Sequence, residues 1–238
     1  GGKGKRMQSE IPKVLLKIKG KSMIRHLLKS VNKSGISSKP VIVVGYGKEK
    51  IINHIGKKKY DYVTQDKQLG PGHAVMSAHK HLAKKGEYVL VLYGDNPFIS
   101  SKTMKNIIKK HRNSNATITF TTTKLPDFKN WRKTFFGFGR ILRKDGKVIS
   151  IREYKDASAK QRQIREVNSG CYVFNAEWLW KNIKKIKNKN AQKEYYLTDL
   201  IDIARDNNKK IETMTINPRE ALGINSKEEL EILEKLVI

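Results

Sequence analysis

Two short runs of uninterrupted apolar residues, Val41-Ile-Val-Val44 and Tyr88-Val-Leu-Val-Leu92, constrain this chain most. Each ends in a loop carrying glycine: Gly45-Tyr46-Gly47 after the first, Tyr93-Gly94-Asp95-Asn96-Pro97 after the second. Runs of this kind read as strands buried on both faces, the habit of parallel strands covered by helices. Helical patterns stand around them. Ile24, Leu27, Leu28 and Val31 form one apolar face after Ser22, residues 48–56 form a second helix, and Met104, Ile107 and Ile108 follow a cap at Ser100 or Ser101. The chain therefore reads as α/β. In open sheets of this class ligands sit beyond the C-terminal ends of the strands. Asp95 falls there, which makes it the first candidate metal ligand; an aspartate capping the next turn is the alternative.

Two glycine-bearing loops lie near helix starts. Residues 1–13 place Gly1, Gly2 and Gly4 among Lys3, Lys5, Arg6 and Lys13. Glycine lets main-chain N–H groups approach a ligand closely, and the cations suit a polyphosphate; a solvated basic terminus is the bland alternative. Gln65-Asp-Lys-Gln-Leu-Gly70-Pro71-Gly72-His73-Ala74 leads into a helix through Val75, Ala78 and Leu82. It reads either as an ordinary strand-to-helix turn or as a second ligand loop. His73 reads as structural rather than catalytic.

Beyond a half-buried strand in which Ala116, Ile118 and Phe120 alternate with threonines, the pattern changes. Residues 126–165 carry short strands, Gly139-Arg140-Ile141-Leu142 and Val148-Ile-Ser-Ile151, around a strong hairpin signal at Asp145-Gly146. This looks like an inserted lobe within a single domain spanning 1–238. Later come a strand ending at Val173-Phe174 and a helix with Trp178 and Trp180. The block Asn190-Ala-Gln-Lys-Glu194-Tyr195-Tyr196-Leu-Thr198-Asp199 follows, then a strand at 211–216 and a last helix with a capping box from Ser226 to Glu229.

The composition is strongly cationic, with 50 Lys+Arg against 22 Asp+Glu and net charge +28. That favours anionic partners. The lysines are dispersed, however, and neither aromatic RNA-stacking motifs nor zinc-finger spacings occur, so nucleic acid is not the expected partner. No apolar run approaches the ~18 residues of a membrane span. The single cysteine, Cys171, cannot form an internal disulfide, which fits a reducing cytoplasm.

Taken together, these motifs resemble the sugar-1-phosphate nucleotidyltransferases over nearly the whole chain. The resemblance is strongest to the N-acetylglucosamine-1-phosphate uridyltransferase half of the bacterial bifunctional UDP-N-acetylglucosamine enzyme. It is carried by Gly2-Lys3-Gly4-x-Arg6-Met7 with Pro12-Lys13, and by Gln65-x-x-Gln-Leu-Gly-x-Gly-His-Ala74. Tyr93-Gly94-Asp95-x-Pro97, Gly137-Phe-Gly-Arg-Ile141, Glu166-Val-Asn-Ser-Gly170 and Asn190–Asp199 complete it. It implies a Rossmann-like, mostly parallel sheet with an inserted sugar-facing β lobe. It also implies Mg²⁺-dependent uridylyl transfer from UTP to N-acetylglucosamine 1-phosphate in the cytoplasm.

The same resemblance assigns residues. Arg6 and Lys13 are expected on the phosphates, with Gly2 and Gly4 lining them. Gln65, Gly70 and Pro71 face the base; Tyr93 and Gly94 belong to the loop before the metal. Gly139, Glu153 and Asn168 face the sugar, with Tyr196, Thr198 and Glu194 nearby, and Asp95 and Asn225 hold the Mg²⁺. Lys5 stands where the family has a small hydroxyl residue, Pro71 where it commonly has threonine. The chain starts inside the signature loop, so a first strand is expected upstream, and no hexapeptide repeats of a C-terminal left-handed β-helix occur. A monomer is expected without that β-helix. The alternatives are transfer to another sugar or from another base, and a non-catalytic basic nucleic-acid-binding protein on the same fold.

Overall fold

Residues 11–83, 85–224 and 227–236 are described in a computed structural model of the chain. A two-residue hairpin, β1 (Lys17–Ile18) and β2 (Lys21–Ser22), leads into α1 (Met23–Ser34). Strand β3 (Val41–Val44), α2 (Lys48–Ile55) and β4 (Asp61–Thr64) form one unit in which β3 and β4 run parallel. The helix read through Val75, Ala78 and Leu82 is cut at Ala78 into α3 (Pro71–Ser77) and α4 (His79–Leu82). Then come β5 (Tyr88–Leu92), α5 (Ser101–Ser114) and β6 (Ile118–Lys124). Of the two candidate caps on α5 it is Ser100 that acts, its hydroxyl accepting from the Thr103 N–H at 3.0 Å.

The lobe contributes a 3₁₀ segment (Asn130–Gly137), β7 (Arg140–Lys144), β8 (Lys147–Arg152) and the short α6 (Ala159–Arg162). Asp145 and Gly146 turn the β7–β8 hairpin with φ of 49° and 74°. Both central residues thus take the left-handed conformation that a right-twisted two-residue hairpin requires. The chain closes with β9 (Glu166–Asn175), α7 (Ala176–Asn182), α8 (Asp199–Asp206), β10 (Ile211–Thr215) and α9 (Lys227–Leu236).

The main sheet is organised on β9. Its first half lies between β6 and β7, its second half between β6 and β5, and β10 extends the sheet in parallel beyond β6. The antiparallel ladders of this sheet all involve β9 or the lobe hairpin; β9 is what makes the sheet mixed. Because successive side chains on a strand point to opposite faces, β9 feeds every core. Tyr172 and Phe174 enter the cluster under α7 and α8, and Cys171 and Val173 enter the one under α1, α2 and α5. Val167 joins a third, with Ile18, Phe135 and Leu222.

Two burial expectations change. The threonine-rich strand β6 is not half-buried: Ile118 and Phe120 and Thr119, Thr121, Thr122 and Thr123 are all 0% exposed. Its edges pair with β9 and β10 while α5 packs over its threonine face, where His111 Nδ1 lies 2.9 Å from Thr119 Oγ1, and Ser169 Oγ lies 2.8 Å from Thr123 Oγ1. Conversely β3 and β5, written as fully buried runs, are mostly half-buried. Among the described residues β3 pairs only with β4 and β5 only with β9.

Candidate active site

Strand β5 stops at Leu92, and the turn Tyr93-Gly94-Asp95 projects from its C-terminal end. Lys13 meets it there. Pro12 is seated on Gly47, so closely that a methyl group on that glycine would overlap the ring, and Val14 packs over Gly94. Between these two contacts the Lys13 ammonium donates to Asp95 Oδ2 at 2.7 Å. Lys13 is 13% exposed and Asp95 36%. The loop is tied down from behind by Asn96, which is buried and donates to the Ser169 carbonyl at 2.8 Å. Gly223 abuts the same turn: a methyl there would lie 3.1 Å from the Asp95 carbonyl oxygen. Asn225, Gly2, Gly4 and Arg6 lie outside the described residues, as do Lys5 and the Ser226 cap.

Among the described residues no three His, Cys, Asp or Glu side chains converge as a metal cage. A single half-exposed carboxylate with one oxygen on an ammonium is nevertheless a donor set of hard oxygen. It suits an ion such as Mg²⁺, which takes most of its ligands from phosphates and water.

The Gln65–Ala74 loop lies next to the Asn190–Asp199 block. The Gly72 N–H donates to the Tyr195 carbonyl and the Tyr195 N–H to that of Leu69, both at 2.8 Å. The His73 and Tyr195 rings stack at 6.0 Å, which gives His73 its packing role. Gln65 is buried, and its amide nitrogen donates to the Gly70 carbonyl and meets His73 Nδ1, each at 3.1 Å. Of the donor and acceptor expected to face a base, the donor is engaged by the loop itself. Gly70 caps α3, and Pro71 occupies its first turn, where the missing N–H costs no helical bond.

Gly139 and Glu153 of the lobe meet Asn168 of β9 and Thr198 before α8. A methyl on Gly139 would lie 3.5 Å from both carboxylate oxygens of Glu153. The Asn168 N–H donates to the Gly139 carbonyl at 2.9 Å, and Asn168 Oδ1 accepts from the Gly170 N–H at 3.1 Å. The buried Thr198 hydroxyl donates to Glu153 Oε1 at 3.0 Å. Tyr196 donates instead to Asp156 Oδ2 at 2.9 Å. Desolvation pushes the Glu153 carboxyl up to about 7; the Thr198 hydroxyl opposes this, and the Asp199, Asp156 and Glu194 carboxylates add to it. Asp199 is raised to about 6, again chiefly by burial and then by Asp202. Burial raises the Tyr93 hydroxyl as well, with Glu153 contributing. Asp95 and Glu153 thus stand in contrasting surroundings, one beside an ammonium, the other among carboxylates.

Some members of the site have little sequence signal. Asp156 organises the wall by accepting from Tyr196 and from the Ala191 N–H at 2.9 Å, yet nothing in Lys155-Asp156-Ala157 marks it. Ser169 serves through its carbonyl. Arg140 was legible only as part of a motif, although a cation inside an apolar strand beside a dense run of aromatics is itself a signal.

The chain was compared with known proteins. Residues 1–141 match the model of the family described as the MobA-like NTP transferase domain. Among curated relatives, the "Bifunctional protein GlmU" of Acetivibrio thermocellus is 42% identical over 96% of this chain and 48% of the relative. That of Clostridium kluyveri is 41% identical over 99% and 50%, and that of Desulfotalea psychrophila 35% identical over 98% and 67%. The chain spans about half the length of the first two. Among solved structures, UDP-glucose pyrophosphorylase complexed with UDP-glucose superposes with a TM-score of 0.77 at 16% identity, covering 99% of this chain and 94% of that one. HddC from Yersinia pseudotuberculosis gives 0.71 at 17% identity, covering 100% and 95%. The last two carry the fold alone.

Proposed function

Because the chain belongs to the MobA-like NTP transferase family, we propose that it transfers a uridylyl group from UTP to N-acetylglucosamine 1-phosphate, with Mg²⁺, releasing pyrophosphate. The observation that supports this best is the pairing of Lys13 with Asp95 at the tip of β5, next to a pocket built from Gly139, Glu153, Asn168 and Thr198.

The sugar-phosphate oxygen attacks the α-phosphorus in line, the new P–O bond forms, and the bond to pyrophosphate breaks. Both reactants are anions, so positioning and charge neutralisation dominate. When bound by Asp95 and Asn225, Mg²⁺ would supply positive charge shared between the two phosphates. Lys13 exchanges its carboxylate partner for the α-phosphate. Arg6 takes charge on the departing pyrophosphate. The Gln65 side-chain oxygen, whose amide nitrogen is already engaged within the loop, and the Gly70 main chain hold the base. The Gly139 N–H, Glu153 and Asn168 fix the sugar; a Glu153 carboxyl titrating near neutrality can either donate to or accept from a sugar hydroxyl or amide.

Pyrophosphate release from UTP, measured with a panel of sugar 1-phosphates in the presence of Mg²⁺, tests the proposal. Turnover with N-acetylglucosamine 1-phosphate well above that with glucose 1-phosphate is expected. Absence of release with every sugar phosphate would overturn it.

A further inference from the structure

Arg140 is the largest of the fully buried side chains, at 0% exposure. No carboxylate pairs with it among the described residues. Its guanidinium donates to three main-chain carbonyls instead: Phe136 at 2.9 Å, Arg162 at 3.2 Å, and Phe138. Three rings surround it, Phe128 at 4.8 Å, Tyr154 at 5.5 Å and Phe136 at 5.8 Å. Tyr154 is also clamped from Arg162, 4.7 Å from its ring, and the Arg162 Nε donates to the Tyr154 carbonyl at 3.2 Å. A buried unpaired cation is costly unless hydrogen bonds and aromatic faces offset its desolvation. Such a group persists in a core for what it holds in place.

What it holds is the sugar-facing wall. Gly139 precedes Arg140 directly, and its carbonyl fixes Asn168. Glu153 precedes Tyr154, which Arg140 and Arg162 grip. One guanidinium thus ties the 136–138 segment, β7, the residues after β8 and the end of α6 into a single frame. That frame sets the separations among Gly139, Glu153 and Asn168. Its carbonyl bonds and ring contacts all fall within residues 128–162, a different stretch from the Lys13–Asp95 pair and the Gln65 loop.

We infer that Arg140 is a positioning residue for the sugar phosphate, acting through Gly139 and Tyr154 without touching substrate. The inference rests on the pocket being the sugar site as proposed above. A lysine offers donors but not the planar fork that spans diverging carbonyls and stacks on rings.

Steady-state kinetics of R140K and of Tyr154→Leu, with each substrate varied in turn, tests this. Both variants are expected to raise KM for the sugar phosphate about tenfold or more, leaving KM for UTP within about twofold and kcat within about threefold. Equal rises in both KM values, a loss confined to kcat, or wild-type constants would overturn the inference. If R140K fails to fold, Tyr154→Leu decides, since it keeps Arg140 and its carbonyl bonds. A wild-type protein without turnover would sink the proposed function instead; a turning-over wild type whose variants show no split would sink only the role of Arg140.

Discussion

Lys13 and Asp95 neutralise each other across 2.7 Å at a partly open position. Exposed and half-exposed ion pairs contribute little to stability, typically under about 1 kcal/mol. Loss of either partner should therefore be felt in function rather than folding. Asp95→Ala is expected to lower turnover by at least about a hundredfold with the thermal midpoint moved only slightly, read by pyrophosphate release and calorimetry. Lys13→Ala should lower kcat more than it raises either KM; a purely KM effect would show that Lys13 only binds. Activity is also expected to vanish on chelation and return with added Mg²⁺. Glu153 behaves differently. Its carboxyl titrates near 7 in the folded protein and near the ordinary carboxylate value unfolded. Between those two values the folded state holds more proton, so stability falls as pH rises through the window and levels off above it. Glu153→Gln removes that penalty. The stability of this variant relative to wild type should increase by about 1 to 2 kcal/mol from pH 5 to pH 8, measured by denaturant unfolding at each pH. A difference independent of pH would show that Glu153 stays ionised throughout.

At the scale of elements, β9 has a position that admits only glycine. Gly170 has φ of +74° inside a strand, and a methyl there would come within 2.9 Å of the Tyr93 ring and 3.1 Å of Asn96 Nδ2. Gly170→Ala combines a left-handed conformation with overpacking, so a cost of about 2–3 kcal/mol is expected, or a fall of roughly 4–12 °C in the thermal midpoint. Periodicity and turn chemistry make most elements legible: α1, α2, the β3 run and the Asp145-Gly146 hairpin follow from local residues alone. Others did not. The break at Ala78 has no proline or glycine to announce it. Alternation in β6 points to a solvent face that α5 in fact covers, since threonine is polar by type yet packs on a buried sheet when its hydroxyl finds a partner such as His111. The loops proposed above to bind ligand are located through their motifs. The contacts that hold them, such as Asp156 to Tyr196 and Arg140 to three carbonyls, join residues whose spacing carries no local pattern.

Over the whole molecule, an excess of 28 positive charges repels itself in the compact state. Screening relieves this, so the thermal midpoint should rise by a few degrees as salt increases from about 10 mM to 150 mM, where the screening length shortens from roughly 30 Å to 8 Å. An unchanged or falling midpoint would indicate that local pairs such as Lys39–Asp61 and Arg143–Glu166 outweigh the net repulsion. No helix among the described residues is long and apolar enough to cross a membrane.

Strand β9 is the late arrival in every partnership it makes. One edge of β5 and one edge of β6 are synthesised well before Glu166–Asn175 can reach them, and the other edge of β6 waits longer still, for β10. On the ribosome those strands wait as unpaired templates, open to pairing with another nascent chain. Ribosome-bound chains that end before Glu166 should consequently engage holdase chaperones, and lengthening them past Asn175 and then past Thr215 should release those chaperones in two steps, as β9 and then β10 pair with β6.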